Sequence, residues 1–450
     1  MHTMKRHETV KESSNLANYE TMRLPAMDPL DALETLVGSD PNRDFWVYGS
    51  DDETIMALDP IGEIVVAGDQ IYSSWAGEHL AHETASDPFA QVGRLLNEMP
   101  VENWRAFGHI SFDAAGYYLP YPLQASTPVM RFVIPKTELV FTKETTDIRT
   151  LGNPAQIAES LSKIEHFSHS EPNVPAPSET DRKSYERGVA ELVKDIRAEH
   201  LAKVVFARHV HLPGSIDIFS TLNSIRQPNS AARTYCFHEK DLTGIGSSPE
   251  LLMRTTPEGL IQTTPLAGTR PRGGTPERDA ALRHELQTDP KEVIEHMLSV
   301  ILVQKEELKG ICETDSVCIK DAMQVKQFRT VQHLASRVEG QLKEGLTLWD
   351  GLRALFPGVT VSGIDKPTAL EKIAQFEKVP RGPYAGCAGW VDSNGASDLT
   401  ITLRSAFEDE NGVSISAGAG IIAQSFPTRE YDETAHKMRT IQSLLVLSES

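Results

Sequence analysis

The sequence predicts an α+β fold, and three observations predict it. Short β-runs between turn clusters fill the first third, from DFWVYGS through EIVVAGD and RAFGHISFD to VMRFVIPKTELVFT. Three more β-runs close the chain, GPYAGCAGWVD, LTITLRSAFED and VSISAGAGII, joined by DSNGASD and the turn ENG as a meander. Helical patterns are interspersed among strands whose connections are of the antiparallel type.

In chain order, residues 1–28 are polar and are expected to form a poorly ordered tail. Residues 29–450 are expected to form one domain, with an N-terminal part over 29–167 and a second part over 183–450 that holds the chemistry. Between them 168–182, SHSEPNVPAPSETDR, is rich in Pro, Ser and acid and reads as a surface connector. SYERGVAELVKDIRAEH reads as an amphipathic helix with Val189, Leu192, Val193 and Ile196 as its apolar stripe. KVVFARHVHL follows as a strand. LTGIGSSPELLMRTTPEGLIQTTPL reads as a hairpin, its turn supplied by Pro257, Glu258 and Gly259. In DPKEVIEHMLSV, Asp289 is a helix N-cap and Pro290 suits the first turn. No internal repeat or heptad pattern is present.

Composition bounds the function. The chain has 450 residues, 40% hydrophobic and 24% charged, which is the profile of a soluble globular protein with a large core. A net charge of −19 argues against nucleic-acid or acidic-membrane partners, so none is expected. An anionic substrate would need locally placed cations or a metal. Cys236, Cys312, Cys318 and Cys387 form no metal-binding spacing and read as reduced thiols. MHTMKRHETVKESSN lacks an apolar signal region, and no apolar run approaches the roughly 20 residues that span a bilayer. A cytoplasmic protein is expected, as a monomer rather than a homodimer.

Two glutamate pairs carry the strongest chemical signal. Glu292 and Glu295 stand at i, i+3, as do Glu430 and Glu433, so each pair projects from one helix face. Two such faces brought together offer the hard oxygen donors Mg²⁺ prefers; separately they are solvated faces. Glu292, three residues past Asp289, has a competing role as a capping carboxylate, so Glu295 is the better metal ligand. Lys203 opens KVVFAR, as a strand-end side chain or as a partly desolvated general base. Glu250 in SSPELLMR is either a strand-edge acid or a carboxyl with a raised pKa able to donate a proton.

PLAGTR, residues 265–270, is small enough for its backbone to approach a ligand. GAG at 418–420 lacks the third glycine and βαβ setting of a dinucleotide fingerprint, but free N–H groups there could hold a carboxylate. Arg404 ends LTITLR as a surface charge or as a bidentate partner for a carboxylate. Lys437 stands four residues after Glu433, for a helix ion pair or for substrate.

The order and wording of these segments resemble the chorismate-utilising enzymes: KVVFAR, SPELLM, PLAGTR, KEVIEH, VQHLAS, TVSGIDK, PRGPYAG, LTLRSAF, GAGIIAQS and ETAHKM. The resemblance is strong from about residue 181 to 450. It is closest to the salicylate synthases of siderophore pathways, in SIDI, KEVIEHMLSV, TVQHLAS, PRGPY and AGAGIIAQS. It implies antiparallel sheets in a central sandwich with helices outside, a Mg²⁺ cofactor and a chorismate substrate. Lys203 would activate the water that attacks ring carbon C2, and Glu250 would protonate the departing C4 hydroxyl. Glu295 and Glu433 would hold Mg²⁺, with Glu292 and Glu430 touching it directly or through water. Gly268, Thr269, His333, Tyr384, Arg404, Gly418, Ala419, Gly420 and Lys437 would line the substrate site.

The expected activity is conversion of chorismate through isochorismate to salicylate and pyruvate. The alternatives are an isochorismate synthase that releases its intermediate, and a catalytically silent chorismate-binding relative. Thr264 stands where close salicylate synthases have Glu, Asp365 replaces the usual Pro in SGIPK, and HLAS lies between HLGS and HLAT. These departures bear on the product more than on the fold.

Overall fold

Antiparallel pairing builds the molecule. A computed structural model describes residues 16–448 apart from 39, 41, 51, 124–127, 164–166, 175–180, 199–200, 227–232 and 329–330. Among the described residues, 21 strands join in one hydrogen-bonded sheet system, and its named ladders are antiparallel. Helices pack against it, which agrees with the expected α+β class of antiparallel sheets with helices outside.

Alternation along the strands explains why both faces are covered. In Phe45–Gly49 every residue is buried: Phe45 and Val47 enter one apolar core, Trp46 and Tyr48 the other. Thr54–Ala67 does the same, with Met56 and Leu58 on one side and Ile55 and Ala57 on the other. The first core is roofed by Pro29–Val37, through Leu30, Leu33 and Val37, and by the end of Pro427–Gln442, through Met438 and Ile441. The helix Arg182–Arg197 buries Val189, Leu192, Val193 and Ile196, the stripe its periodicity predicts, into the other core.

Two expectations need correction. The last part of the proposed tail is structured, since Glu20–Pro25 forms a strand paired with Thr145–Thr150. Met22 and Leu24 alternate onto the core, a period-2 signal too short to stand out among polar neighbours. Residues 1–15 of that tail, and 175–180 of the connector, lie outside the described residues. The segment read as one hairpin is three strands. Leu251–Thr255 and Leu260–Thr263 form the hairpin, with Gly259 at φ 81° in its turn, whereas Leu242–Ser248 pairs with Arg233–Glu239.

Three features set up the site. Lys203–Leu212 pairs along its length with Gly412–Ile421, placing Val205 beside Gly420 and Ala207 beside Gly418. Leu266–Pro271 pairs with Val331–Gln341, putting Thr269 opposite His333, with a register shift that leaves Gly268 out of the ladder. The helices Pro290–Leu302 and Pro427–Gln442 carry the two glutamate pairs.

Candidate active site

The helix Pro290–Leu302 starts as its sequence predicts, with the Asp289 side chain accepting from the Lys291 N–H. Its burial is unusual: Lys291, Glu292, Glu295 and His296 all face inward. On Pro427–Gln442, Glu430 is buried and Glu433 nearly so. The two pairs meet around one ammonium. Lys291 Nζ lies 3.3 Å from Glu295 Oε2, 3.5 Å from Glu430 Oε1 and 4.0 Å from Glu292 Oε1. Burial alone would lower the Lys291 pKa, but the surrounding carboxylates raise it.

The four glutamates are not equivalent. Burial would raise Glu295, yet Lys203, Lys291 and Lys437 hold its carboxyl well below the usual range. Burial would likewise raise Glu433, but Lys437, 2.9 Å away, and Lys291 hold it down. Glu430 is pushed up to about 7 by burial and by neighbouring Glu433. Both of its buried oxygens lack a hydrogen bond of normal geometry, although Ser425 stands beside them. Glu292 does not cap its own helix. Its Oε2 accepts from the Thr269 N–H at 3.0 Å, and its Oε1 takes Arg270 at 2.8 Å and Arg429 at 2.9 Å.

Among the described residues, no three acidic, histidine or cysteine side chains converge tightly enough to hold a metal as they stand. The donor set nevertheless fits a hard divalent cation. It is all carboxylate, a cation already lies within it, and Glu430 holds two orphaned oxygens that a metal could satisfy. Glu292 fits poorly, because two arginines and a backbone N–H already use its oxygens.

A pocket opens beside this cluster. Of the residues singled out in the sequence, Glu250, Gly268, Thr269, Glu295, His333, Tyr384, Arg404, Gly418, Gly420, Glu433 and Lys437 line it. Lys203 does not itself line the pocket: it is fully buried behind the lining residues Glu295 and Gly420, with Nζ 3.2 Å from Glu295 Oε1 and 3.2 Å from Ser299 Oγ. Gly420 lets this pair form, since a Cβ there would collide with Glu295 Oε1 and come within 3.0 Å of Lys203 Cε.

Ala419 does not line the pocket. Strand alternation turns its methyl into the core, away from Gly418 and Gly420. Residues 418–420 are mid-strand and not a turn, so their contribution is the missing side chain and not a nest of free N–H groups. The Gly418 carbonyl instead accepts from Lys437 Nζ at 2.8 Å.

Glu250 sits where the chain breaks between Leu242–Ser248 and Leu251–Thr255. It is buried, and its Oε1 accepts from Thr360 Oγ1 at 2.5 Å and from the Leu266 N–H at 3.1 Å. Burial pushes its carboxyl up to about 7. Arg404 is buried without a carboxylate within ion-pair distance among the described residues, and burial lowers its pKa to about 10. Its guanidinium donates to His333 Nε2 and lies 5.3 Å from the Phe328 ring centroid. Tyr384 closes the pocket, its hydroxyl beside Gly418.

Sequence reasoning missed Lys291, Arg270, Arg429, Ser299 and Thr360. Lys291 had a signal, being four residues before Glu295 on one helix face. Arg270 ends PLAGTR itself. Thr360 comes from a distant loop, and no local pattern announces it.

A sequence profile described as chorismate binding enzyme matches residues 41–443. The chain is 30% identical over 448 residues to a salicylate synthase of Mycolicibacterium paratuberculosis, covering 97% of this chain and 98% of that one. It is 33% identical to an anthranilate synthase component 1 of Saccharolobus solfataricus, covering 75% and 80%. Anthranilate synthase component I from Streptococcus pneumoniae superposes with a TM-score of 0.73 at 27% identity, covering 87% and 92%. The fold of MenF, the menaquinone-specific isochorismate synthase of Escherichia coli, is also shared, with a TM-score of 0.73 at 22% identity over 97% of each chain.

Proposed function

Because the chain belongs to the chorismate binding enzymes, we propose that it is a Mg²⁺-dependent salicylate synthase. It would turn chorismate through isochorismate into salicylate and pyruvate, in the cytoplasm and for siderophore biosynthesis. The near full-length likeness to a salicylate synthase supports the choice of product. The observation that carries the chemistry is a pocket lined by a near-neutral carboxylic acid and, among the described residues, an arginine with no carboxylate partner, with a buried lysine directly behind its Glu295 and Gly420 wall.

The residues divide the work. Arg404, short of an anion, takes a substrate carboxylate, with Tyr384 and the bare edge at Gly418 shaping the wall beside it. Lys203 acts as the general base that removes a proton from the water that attacks C2. Glu250, whose raised pKa of about 7 keeps a large fraction protonated near neutral pH, gives its proton to the hydroxyl leaving C4. Base and acid come from different segments, Lys203 from Lys203–Leu212 and Glu250 from the break just before Leu251–Thr255, as addition and loss at separate ring carbons require. Glu295, Glu433 and Glu430 would hold Mg²⁺, which would supply a Lewis-acid grip on the ring carboxylate. Glu292, tied to Arg270 and Arg429, fixes the backbone at Thr269. Elimination of pyruvate from isochorismate then needs a held conformation more than a further group.

Incubation with chorismate and Mg²⁺, followed by product separation, tests the proposal. Salicylate and pyruvate in equal amounts are expected. Accumulated isochorismate would replace the reading with an isochorismate synthase, and tight chorismate binding without turnover would favour a silent relative.

A further inference from the structure

We propose that His333 is a positioning residue for Arg404: held as the neutral tautomer with its proton on Nδ1, it offers the Nε2 lone pair to the guanidinium and fixes its plane for a substrate carboxylate. This rests on the reading of the pocket as a site for a carboxylate substrate.

The tautomer follows from the partners. His333 Nδ1 lies 3.0 Å from the Gly268 carbonyl oxygen, which can only accept, so Nδ1 carries the hydrogen. Thr269 Oγ1, at 3.2 Å, shares the same N–H. Nε2 is left with a lone pair, and the group facing it is the Arg404 guanidinium, which can only donate. Donor meets acceptor at both nitrogens, and no other protonation state satisfies both bonds.

Backbone geometry holds the ring in this role. The register shift between Ala267 and Thr269, with Gly268 at φ 80°, takes that residue out of the ladder and leaves its carbonyl bonded to the ring. His333 itself is locked in the ladder, opposite Thr269 on one side and Lys326 on the other. Burial and the adjacent Arg404 and Lys437 cations keep its pKa well below the usual histidine value, so it does not compete as a cation.

The choice of histidine has a physical reason. A carboxylate in its place would neutralise Arg404 and weaken its hold on substrate. The neutral imidazole and the Phe328 ring, itself 5.6 Å from the His333 ring, orient the guanidinium without discharging it. Arg404 is held at φ 50°, a left-handed backbone that a non-glycine residue keeps only where its surroundings enforce it.

The test uses the whole protein labelled with ¹⁵N-histidine. The His333 signal, assigned by its loss in His333→Gln, should show a protonated Nδ1 and a bare Nε2, unchanged between about pH 5.5 and 8. His333→Leu should raise the KM for chorismate by about tenfold or more, with a smaller change in kcat. His333→Gln, whose amide can donate to Gly268 and accept from Arg404, should recover most of the loss. A proton on Nε2, titration within that range, or an unchanged KM in His333→Leu would overturn the proposal. If His333→Leu does not fold, the spectrum of the unaltered protein and the His333→Gln kinetics decide. Failure of chorismate to bind the unaltered protein would sink the substrate reading and leave the tautomer result standing.

Discussion

The ammonium of Lys291 lies 3.3 Å from Glu295 Oε2, at the meeting point of the two glutamate-bearing helices. Four carboxylates on two facing helices would otherwise repel one another in a dry site. On the proposed reading of a Mg²⁺ site here, Lys291 and the metal would compete for the space between them. Lys291→Met should therefore cost the metal-free protein about 3–5 kcal/mol, the usual penalty for removing one partner of a buried ion pair. Added Mg²⁺ should restore most of that and bind more tightly than to the unaltered protein, because no ammonium has to move aside. Thermal unfolding with and without Mg²⁺, together with calorimetric titration, checks both. Equal melting temperatures and equal affinities would show that Lys291 and the metal do not share a place.

Glu430 and Glu292 should separate cleanly. Glu430 has only a 3.5 Å ion pair with Lys291 and no hydrogen bond of normal geometry at its two buried oxygens, so Glu430→Gln should weaken Mg²⁺ binding while costing metal-free stability less than Glu292→Gln does. Glu292 is saturated by Arg270, Arg429 and the Thr269 N–H. Glu292→Gln should lower stability by about 1.5–3 kcal/mol, the scale of a hydrogen bond to a charged group, with the smaller effect on Mg²⁺ affinity. Reversal of the two phenotypes would return Glu292 to the metal.

Most of the strands and most of the residues that the structure brings to one pocket were legible in the sequence, because periodicity and residue type are local. The helix stripe of Val189, Leu192, Val193 and Ile196 and the Asp289 cap are read directly from spacing. What escaped depends on contacts between distant segments. Glu292 and Glu430 look alike as i, i+3 partners, yet Arg270 from a neighbouring strand bonds Glu292, whereas Glu430 has the longer 3.5 Å approach of Lys291 and no hydrogen bond of normal geometry. Ala419 sits between two pocket glycines in sequence and on the opposite strand face in space. Thr360, bonded to Glu250 across 110 positions, has no local signature at all.

Glu250 gives a pH prediction with a definite sign. As a proton donor it works only while protonated, and burial places its pKa at about 7. Turnover of saturating chorismate should be level below about pH 7 and fall about tenfold per pH unit above it. Glu250→Gln, which cannot donate a proton of the same acidity, should lose the fall together with the activity. A rate that stays level to about pH 9 would exclude Glu250 as the acid.

Lys203 should divide the two half-reactions. If Lys203 is the base that activates water, as proposed, Lys203→Ala should drop chorismate consumption about 10²–10⁴-fold. Pyruvate release from supplied isochorismate should persist, because that step needs a held substrate and not the amine. Product analysis from each starting compound checks this, and equal loss from both would remove Lys203 from the role of base.

Gly420 offers the most economical test of the shared geometry. Its backbone is extended strand, so alanine meets no φ penalty, and the register with Val205 should survive. The added methyl has nowhere to go, since it would meet Glu295 Oε1 and lie within 3.0 Å of Lys203 Cε. Overpacking of this kind costs about 1–3 kcal/mol, little enough for a domain of this size to remain folded. The carboxylate and the amine would nevertheless be forced apart. Gly420→Ala should therefore keep its circular dichroism spectrum while losing both chorismate turnover and Mg²⁺ affinity, because on the proposed reading Glu295 serves the lysine and the metal together. If turnover falls and Mg²⁺ affinity holds, Glu295 belongs to Lys203 alone and the metal site must be rebuilt around Glu430 and Glu433.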